Sequence, residues 1–147
     1  MERISNIPLR SVMVVNPVTI SVDAPFSKVE ELLRSHRIRH LPVIDHKKML
    51  CGMITQTDLY RTVSPMRSLE GELFYTKDLL DNYILKSAMT KEVTTLAPQD
   101  NLASAVDIMV KKRYGCIPIV NEKCRLEGII TQIDVLKVIS KYVGWVI

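Results

Sequence analysis

The sequence predicts a mixed α/β (α+β) fold built from two pseudo-twofold-related β-α-β-β-α repeats whose small sheets pack together. Three observations carry that expectation. The chain matches itself without gaps at an offset of 76 residues, placing Met13 on Met89, Arg37 on Arg113, Pro42 on Pro118, Gly52 on Gly128, Thr55 on Thr131 and Asp58 on Asp134. Within each copy, short β-branched runs alternate with stretches of helical periodicity. A sheet that small exposes its edges and part of its apolar face when it stands alone, so two copies packed on each other are expected rather than independent beads. The division is repeat 1 at 1–63, a connector at 64–81 and repeat 2 at 82–147.

The elements follow in order. Ser11-Val12-Met13 mirrors Ser87-Ala88-Met89, and each copy then has a short extended segment, Thr19-Ile20-Ser21 or Thr95-Leu96-Ala97. After a turn, Phe26, Val29, Leu32 and Leu33 recur at helical spacing, as do Leu102, Ala105, Val106 and Met109, with Ser27 or Asp100 as cap candidates. The runs Leu41-Pro42-Val43-Ile44 and Ile117-Pro118-Ile119-Val120 read as strands, and the early proline points to a first strand residue or a sheet edge. Polar turns lead to second strands through Gly52-Met53-Ile54 and Gly128-Ile129-Ile130. The last helices start at Thr55 and Thr131 and cover the sheet with Leu59, Tyr60 and Val63, or with Val135, Leu136, Val138 and Ile139. The least regular stretch, 64–81, reads as a connector with a short helix near Leu79-Leu80; a lid or an oligomer contact is its alternative.

Composition narrows the function classes. At 147 residues and 47% hydrophobic, the chain is suited to a sizeable core and is no disordered segment. The net charge of +4 comes from interspersed Lys and Arg, and one Trp and two Phe make a poor base-stacking platform, so nucleic acid is not expected. The start of the chain has no apolar run of signal length, and the other apolar stretches are strand-sized, which points away from secretion and membranes and toward the cytoplasm. Cys51, Cys116 and Cys124 form no CxxC pair and read as reduced thiols. His36, His40 and His46 lack further ligands at a familiar spacing, so no metal site is expected. No cysteine has a matched general base, and Asp58 and Asp134 mark two similar places rather than one acid and one base, so no catalytic residues are assigned.

The repeated polar pattern is Gly-x-x-Thr-Gln-x-Asp, at Gly52–Asp58 and again at Gly128–Asp134. It puts a hydroxyl and a carboxylate where a strand gives way to a helix. Free amides at a helix start favour an anion, a threonine hydroxyl adds a donor, and a carboxylate accepts two ribose hydroxyls. The plain alternative is structural, with Thr55 and Thr131 as helix caps and Asp58 and Asp134 as first-turn acids.

With His40-Leu41-Pro42-Val43-Ile44-Asp45 and Cys116-Ile117-Pro118-Ile119-Val120-Asn121 each followed by that pattern, almost the whole chain resembles a tandem cystathionine-beta-synthase (CBS) domain pair, or Bateman module. A looser similarity is to small stand-alone CBS proteins grouped with acetoin utilisation. The resemblance implies a non-catalytic sensor that requires no cofactor and binds AMP, ADP, ATP or S-adenosylmethionine in two clefts between the repeats. It implies one cleft with Thr55, Asp58, Ile54 and His40 of the first copy and Thr95, Leu96 and Tyr114 of the second. The other would have Thr131, Asp134 and Ile130 with Thr19, Ile20, Ile38 and Arg39. Phosphate-binding members often carry Arg or His just before the strand; His40 meets this and Cys116 does not, so the clefts are expected to differ. The resemblance and the surplus of apolar helix faces together imply a homodimer, with an unidentified regulated protein as a further partner. The apolar end Tyr142–Ile147 is expected to pack on the module or a neighbour. The rival reading is an interaction or dimerisation module whose clefts are degenerate.

Overall fold

The chain sorts into two units that exchange their leading segments. The computed structural model describes residues 3–143; Val18–Val93 form one unit, and the segment up to Pro17 joins the chain from Thr94 onward in the other. In chain order the elements are β1 (Val14–Val15), β2 (Ile20–Ser21), α1 (Ser27–His36), β3 (His40–Ile44), β4 (Leu50–Thr55), α2 (Gln56–Thr62), β5 (Met66–Arg67), β6 (Leu73–Phe74), α3 (Lys77–Leu80), α4 (Leu85–Ala88), α5 (Leu102–Lys112), β7 (Cys116–Val120), β8 (Leu126–Thr131) and α6 (Gln132–Val143). Residues 144–147 of the apolar C-terminal stretch lie outside the described residues.

In the Val18–Val93 unit the sheet order is β2-β3-β4, with β2 parallel to β3 and β3 antiparallel to β4. Beyond β4, Thr90 and Met53 exchange backbone hydrogen bonds of 2.8 and 2.9 Å, so the segment that opens the second repeat borders the first repeat's sheet. Phe26, Val29 and Leu33 from the α1 side and Leu59 and Val63 from the α2 side pack with Leu41, Val43 and Ile54 in one core. Helix α1 ends at Arg37, whose left-handed φ of 52° lets Arg37 and Ile38 N–H donate back to the last turn.

The start of α1 differs from the cap expected at Ser27. No side chain caps it locally; instead the Ser27 N–H donates to Asp81 Oδ1 at 2.9 Å, from 54 residues away. The stretch 64–81 is correspondingly more than a link, since it holds the β5–β6 hairpin and α3, buries Leu80 in the core and anchors Tyr75 Oη to the Val63 carbonyl at 3.2 Å. In the second repeat the cap is local: Asn101 Oδ1 accepts from Ser104 N–H at 3.0 Å, while Asp100 accepts from Ala97 N–H.

The other unit repeats the plan. Its sheet runs β1-β8-β7, with β1 antiparallel to β8 through Val14↔Ile129 and Val15↔Gly128, and with Leu96 bridged in parallel to Ile119 on the far side of β7. Ile117, Ile119 and Ile130 are fully buried among Leu9, Leu102, Ala105 and Val135. Each such isoleucine contributes about 1.5–3 kcal/mol of apolar transfer. Val135 and Val138 face this core as expected, but Leu136 and Ile139 are exposed, as is Tyr60 in the first copy. On α6 the inward stripe is narrower than the apolar sequence suggests, with Leu136 and Ile139 both on one flank of it.

Pro42 sits in the central strand of its sheet, whereas Pro118 sits in β7, the last strand of its sheet, flanked on the outer side by the single bridge from Leu96. Pro42 pairs opposite Met53, whose N–H points away to Thr90, so the pair carries no ladder bond between β3 and β4. In the second copy Leu96 N–H donates to the Pro118 carbonyl and Val120 N–H donates to the Leu96 carbonyl, which starts the parallel pairing just after the missing donor. A proline is tolerated there because its neighbour strand is short.

The motif glycines have a packing role. A Cβ on Gly52 would lie 2.5 Å from the Thr90 carbonyl oxygen, and one on Gly128 would lie 2.6 Å from that of Val14. Each glycine admits the leading segment of the other repeat against its strand.

Candidate functional site

Each Thr-Gln-x-Asp turn is built as a capping box. β4 ends in Thr55, still extended at φ −119°, and α2 begins at the next residue. Thr55 Oγ1 accepts from Asp58 N–H at 3.1 Å while Asp58 Oδ2 accepts from Thr55 N–H at 2.8 Å. In the second copy Asp134 Oδ2 accepts from both Thr131 N–H and Thr131 Oγ1–H at 2.8 Å, and Thr131 Oγ1 accepts from Asp134 N–H at 3.3 Å. In both turns Oδ2 carries the box, which leaves half of each half-buried carboxylate uncommitted to it. The structural reading and the ligand reading of the motif are therefore compatible.

The strand before each helix supports the turn. His40 lies opposite Thr55 and Cys116 opposite Thr131 in the antiparallel registers. The first helical N–H donates across, from Gln56 to the Arg39 carbonyl at 2.9 Å and from Gln132 to the Gly115 carbonyl at 3.1 Å. Those bonds pin the helix start to the strand start, so the Thr-Asp pair and the residue at the His40 or Cys116 position are held together.

Electrostatics separate the two turns. Burial is the main cause that lowers the His40 pKa from its ordinary 6.5; the Arg39 guanidinium adds to it and the Asp58 carboxylate opposes it. At Cys116 burial pushes the thiol up to about 12, with Asp134 adding to the shift, so this sulfur is a neutral wall and no nucleophile at neutral pH. One turn has a titratable base beside its carboxylate; the other has an inert thiol.

The expected site residues distribute as follows. Thr19, Ile20, Ile38, Arg39, His40, Ile54, Thr55 and Asp58 belong to the Val18–Val93 unit, and Thr95, Leu96, Tyr114, Ile130, Thr131 and Asp134 to the other. Ile20, Ile54 and Ile130 have their side chains in the cores, so they have only main chain to offer a ligand. Leu96 is engaged in the bridge to Ile119, and Arg39 and Tyr114 are exposed. The sequence reading passed over Lys112, whose ammonium donates to Thr94 Oγ1 at 3.1 Å and stands 6.0 Å from the centre of the Tyr114 ring. A lysine at the end of a helix carries no periodic signal. Among the described residues, no group of three or more His, Cys, Asp or Glu gathers to hold a metal ion, and no helix is long and apolar enough to cross a membrane.

Known proteins share this arrangement. The CBS domain family profile matches residues 9–65 and again 85–141. Inosine-5'-monophosphate dehydrogenase of Aquifex aeolicus is 30% identical over 126 residues, covering 85% of this chain and 23% of that protein. The chain spans less than half the length of the curated relatives it matches, from 22% of homoserine O-acetyltransferase of Methanobrevibacter ruminantium to 43% of protein MJ1225 of Methanocaldococcus jannaschii. Among solved structures, a protein assigned to acetoin utilization (AcuB) from Vibrio cholerae superposes with a TM-score of 0.75 at 28% identity, covering 94% of this chain and 93% of that one. CBSX2 in complex with AMP gives 0.77 at 20% identity, with coverage of 92% and 98%. The CBS domain pair of protein MJ0100, in complex with 5'-methylthioadenosine and S-adenosyl-L-methionine, gives 0.76 at 20% identity, with coverage of 92% and 97%.

Proposed function

The chain belongs to the CBS domain family, with two copies of the domain, and on that premise we propose that it is a non-catalytic regulatory module for an adenine nucleotide or related adenosyl ligand. The observation that carries the reading is the doubled Thr-Asp turn, a carboxylate and a helix start held together at the end of a buried strand in both repeats. Solved proteins of the same fold in complex with AMP, or with 5'-methylthioadenosine and S-adenosyl-L-methionine, support the ligand class.

In this reading Asp58 and Asp134 accept ribose hydroxyls through the oxygen that the capping box leaves, and Thr55 and Thr131 stand on the phosphate side. The first turn, with His40 beside it, takes phosphate-bearing ligands; the second, with Cys116, takes ligands lacking that charge. The module self-associates as a homodimer, and ligand acts by preferring one of two packings, since equal affinity for both would shift nothing.

Titration calorimetry on ligand-stripped protein with AMP, ADP, ATP and S-adenosylmethionine tests this. Saturable heat is expected, with Asp58→Ala and Asp134→Ala each weakening one site by about 10–100-fold, the equivalent of a lost charge-assisted hydrogen bond. Unchanged affinity in the double variant would overturn the residue roles. No heat with any of the four would leave the turns as helix caps in an interaction module with degenerate sites.

A further inference from the structure

In the unit that holds the second repeat, α5, Ile139 of α6 and the helical turn Ile4–Asn6 border an apolar groove of about 430 Å³. Val106 and Val110 lie one turn apart along it, and Val110 and Ile139 are 71 and 37% exposed. The polar members of its wall are Ser5 and Asp107, both exposed, and Asp107 Oδ2 holds the Lys111 ammonium at 3.1 Å. An apolar slot with hydrogen-bond acceptors at its rim complements an indole, which is a large apolar ring with a single N–H donor. The chain has one tryptophan, Trp145. Helix α6 runs to Val143, one turn and about 6 Å beyond Ile139, and the sequence continues Gly144-Trp145-Val146-Ile147.

A glycine directly after a helix favours the left-handed turn that closes it, and the residue after the glycine then meets an apolar side chain of the last turns. Helix α1 has this closure: after left-handed Arg37, Ile38 N–H donates to the Leu33 carbonyl at 3.1 Å, and Ile38, Leu32 and Leu33 join one core. With Gly144 in the place of Arg37, Trp145 takes the place of Ile38 and Ile139 that of Leu32. We infer that Trp145 folds back on Ile139 and seats its indole in the α5–α6 groove of its own chain, with the ring N–H toward Ser5 and Asp107. Because Ile4 belongs to the leading segment, the seated ring clasps the first and last turns of this unit onto α5. Its own chain is the favoured host because Trp145 stands two residues, at most about 7 Å, beyond Val143, and so short a link gives the ring a high effective concentration at this groove. The inference involves no residue of the ligand turns and is independent of which ligand binds.

Fluorescence of the sole tryptophan tests it on the full chain. The expected result is an emission blue-shifted from that of N-acetyltryptophanamide, acrylamide quenching reduced severalfold, and neither reading changed by dilution. Val110→Asp, at an exposed position of the groove, is expected to red-shift the emission and restore quenching. Leu136→Asp, at an exposed position of α6 outside the groove, should leave both readings as they were. Emission at the wavelength of the free indole overturns the inference. So does a blue-shifted emission that Val110→Asp leaves in place, which would put the ring elsewhere, and one lost on dilution or with Leu136→Asp, which would put it on a second copy. As a second measurement, Trp145→Ala is expected to lower Tm by about 2–8 °C. Ile139→Ala should then cost less in that background than in the parent, because side chains in contact are not additive. Additive losses would overturn the contact.

Discussion

Gly128→Ala probes the fold and the motif at once. The added methyl would stand 2.6 Å from the Val14 carbonyl oxygen, 2.9 Å from Met13 Sδ and 3.2 Å from Met13 Cγ. The methionine can swing away, but the carbonyl belongs to β1, which is held to β8 by only the Val14↔Ile129 and Val15↔Gly128 pairs. Relief therefore requires the leading segment to move off the sheet. Overpacking of this kind costs about 1–3 kcal/mol, which for a chain of this size corresponds to a fall in Tm of about 2–12 °C. Differential scanning calorimetry with a urea titration reads both quantities. Adding Met13→Ala should recover little, because the backbone oxygen remains, and Gly52→Ala should behave alike, since its methyl meets the Thr90 carbonyl at 2.5 Å. Unchanged stability in both glycine variants would refute the packing account, and lost ligand binding at unchanged stability would assign the glycines to the ligand site instead.

Two further outcomes follow from the charges. The His40 pKa is lowered in the free protein, chiefly by burial, and a bound phosphate would raise it; affinity for AMP should therefore rise as pH falls through the region around and below 6.5, and His40→Ala should flatten that slope in calorimetry at pH 8, 7 and 6. S-adenosylmethionine, which carries no phosphate, should show little of this slope. Hydrogen bonds from Ser27, aided by Lys77, hold the Asp81 carboxyl below its ordinary 3.8, so its contribution is present above that pH and lost as pH falls through the lowered value. Asp81→Ala should lower Tm at pH 7, with the gap to the parent narrowing as pH falls below 3.8; a gap that stays constant into acid would show that the α1 cap is not the cause.

Much of the molecule was legible in the residue pattern. Periodicity located α1 and α5, and the β-branched runs located β3 and β7, because an amphipathic helix and a buried strand each impose a local spacing on their apolar residues. The Thr-Asp turns were equally visible, since a capping box is made by residues three apart and repeats in register. Two local expectations failed for non-local reasons. Ser27 yields to Asp81 as the partner of the α1 start because the hairpin segment brings a carboxylate from 54 residues away. Pro42 occupies a central strand because its neighbour β2 is only two residues long.

What the sequence determined by itself is the content of each repeat: a strand, a helix, two strands and a helix, with a threonine and a carboxylate at the last junction. What only the tertiary structure decided is which pieces share a sheet. Val14–Val15 joins the second repeat's β8 and Thr90 joins the first repeat's β4, and no short-range periodicity records that exchange. Its trace is a pair of glycines within strands, whose role shows only once the carbonyl oxygens that they admit are placed beside them. Side-chain spacing is a local property of the chain; the choice of strand partner is a contest among distant surfaces, settled by which one fits.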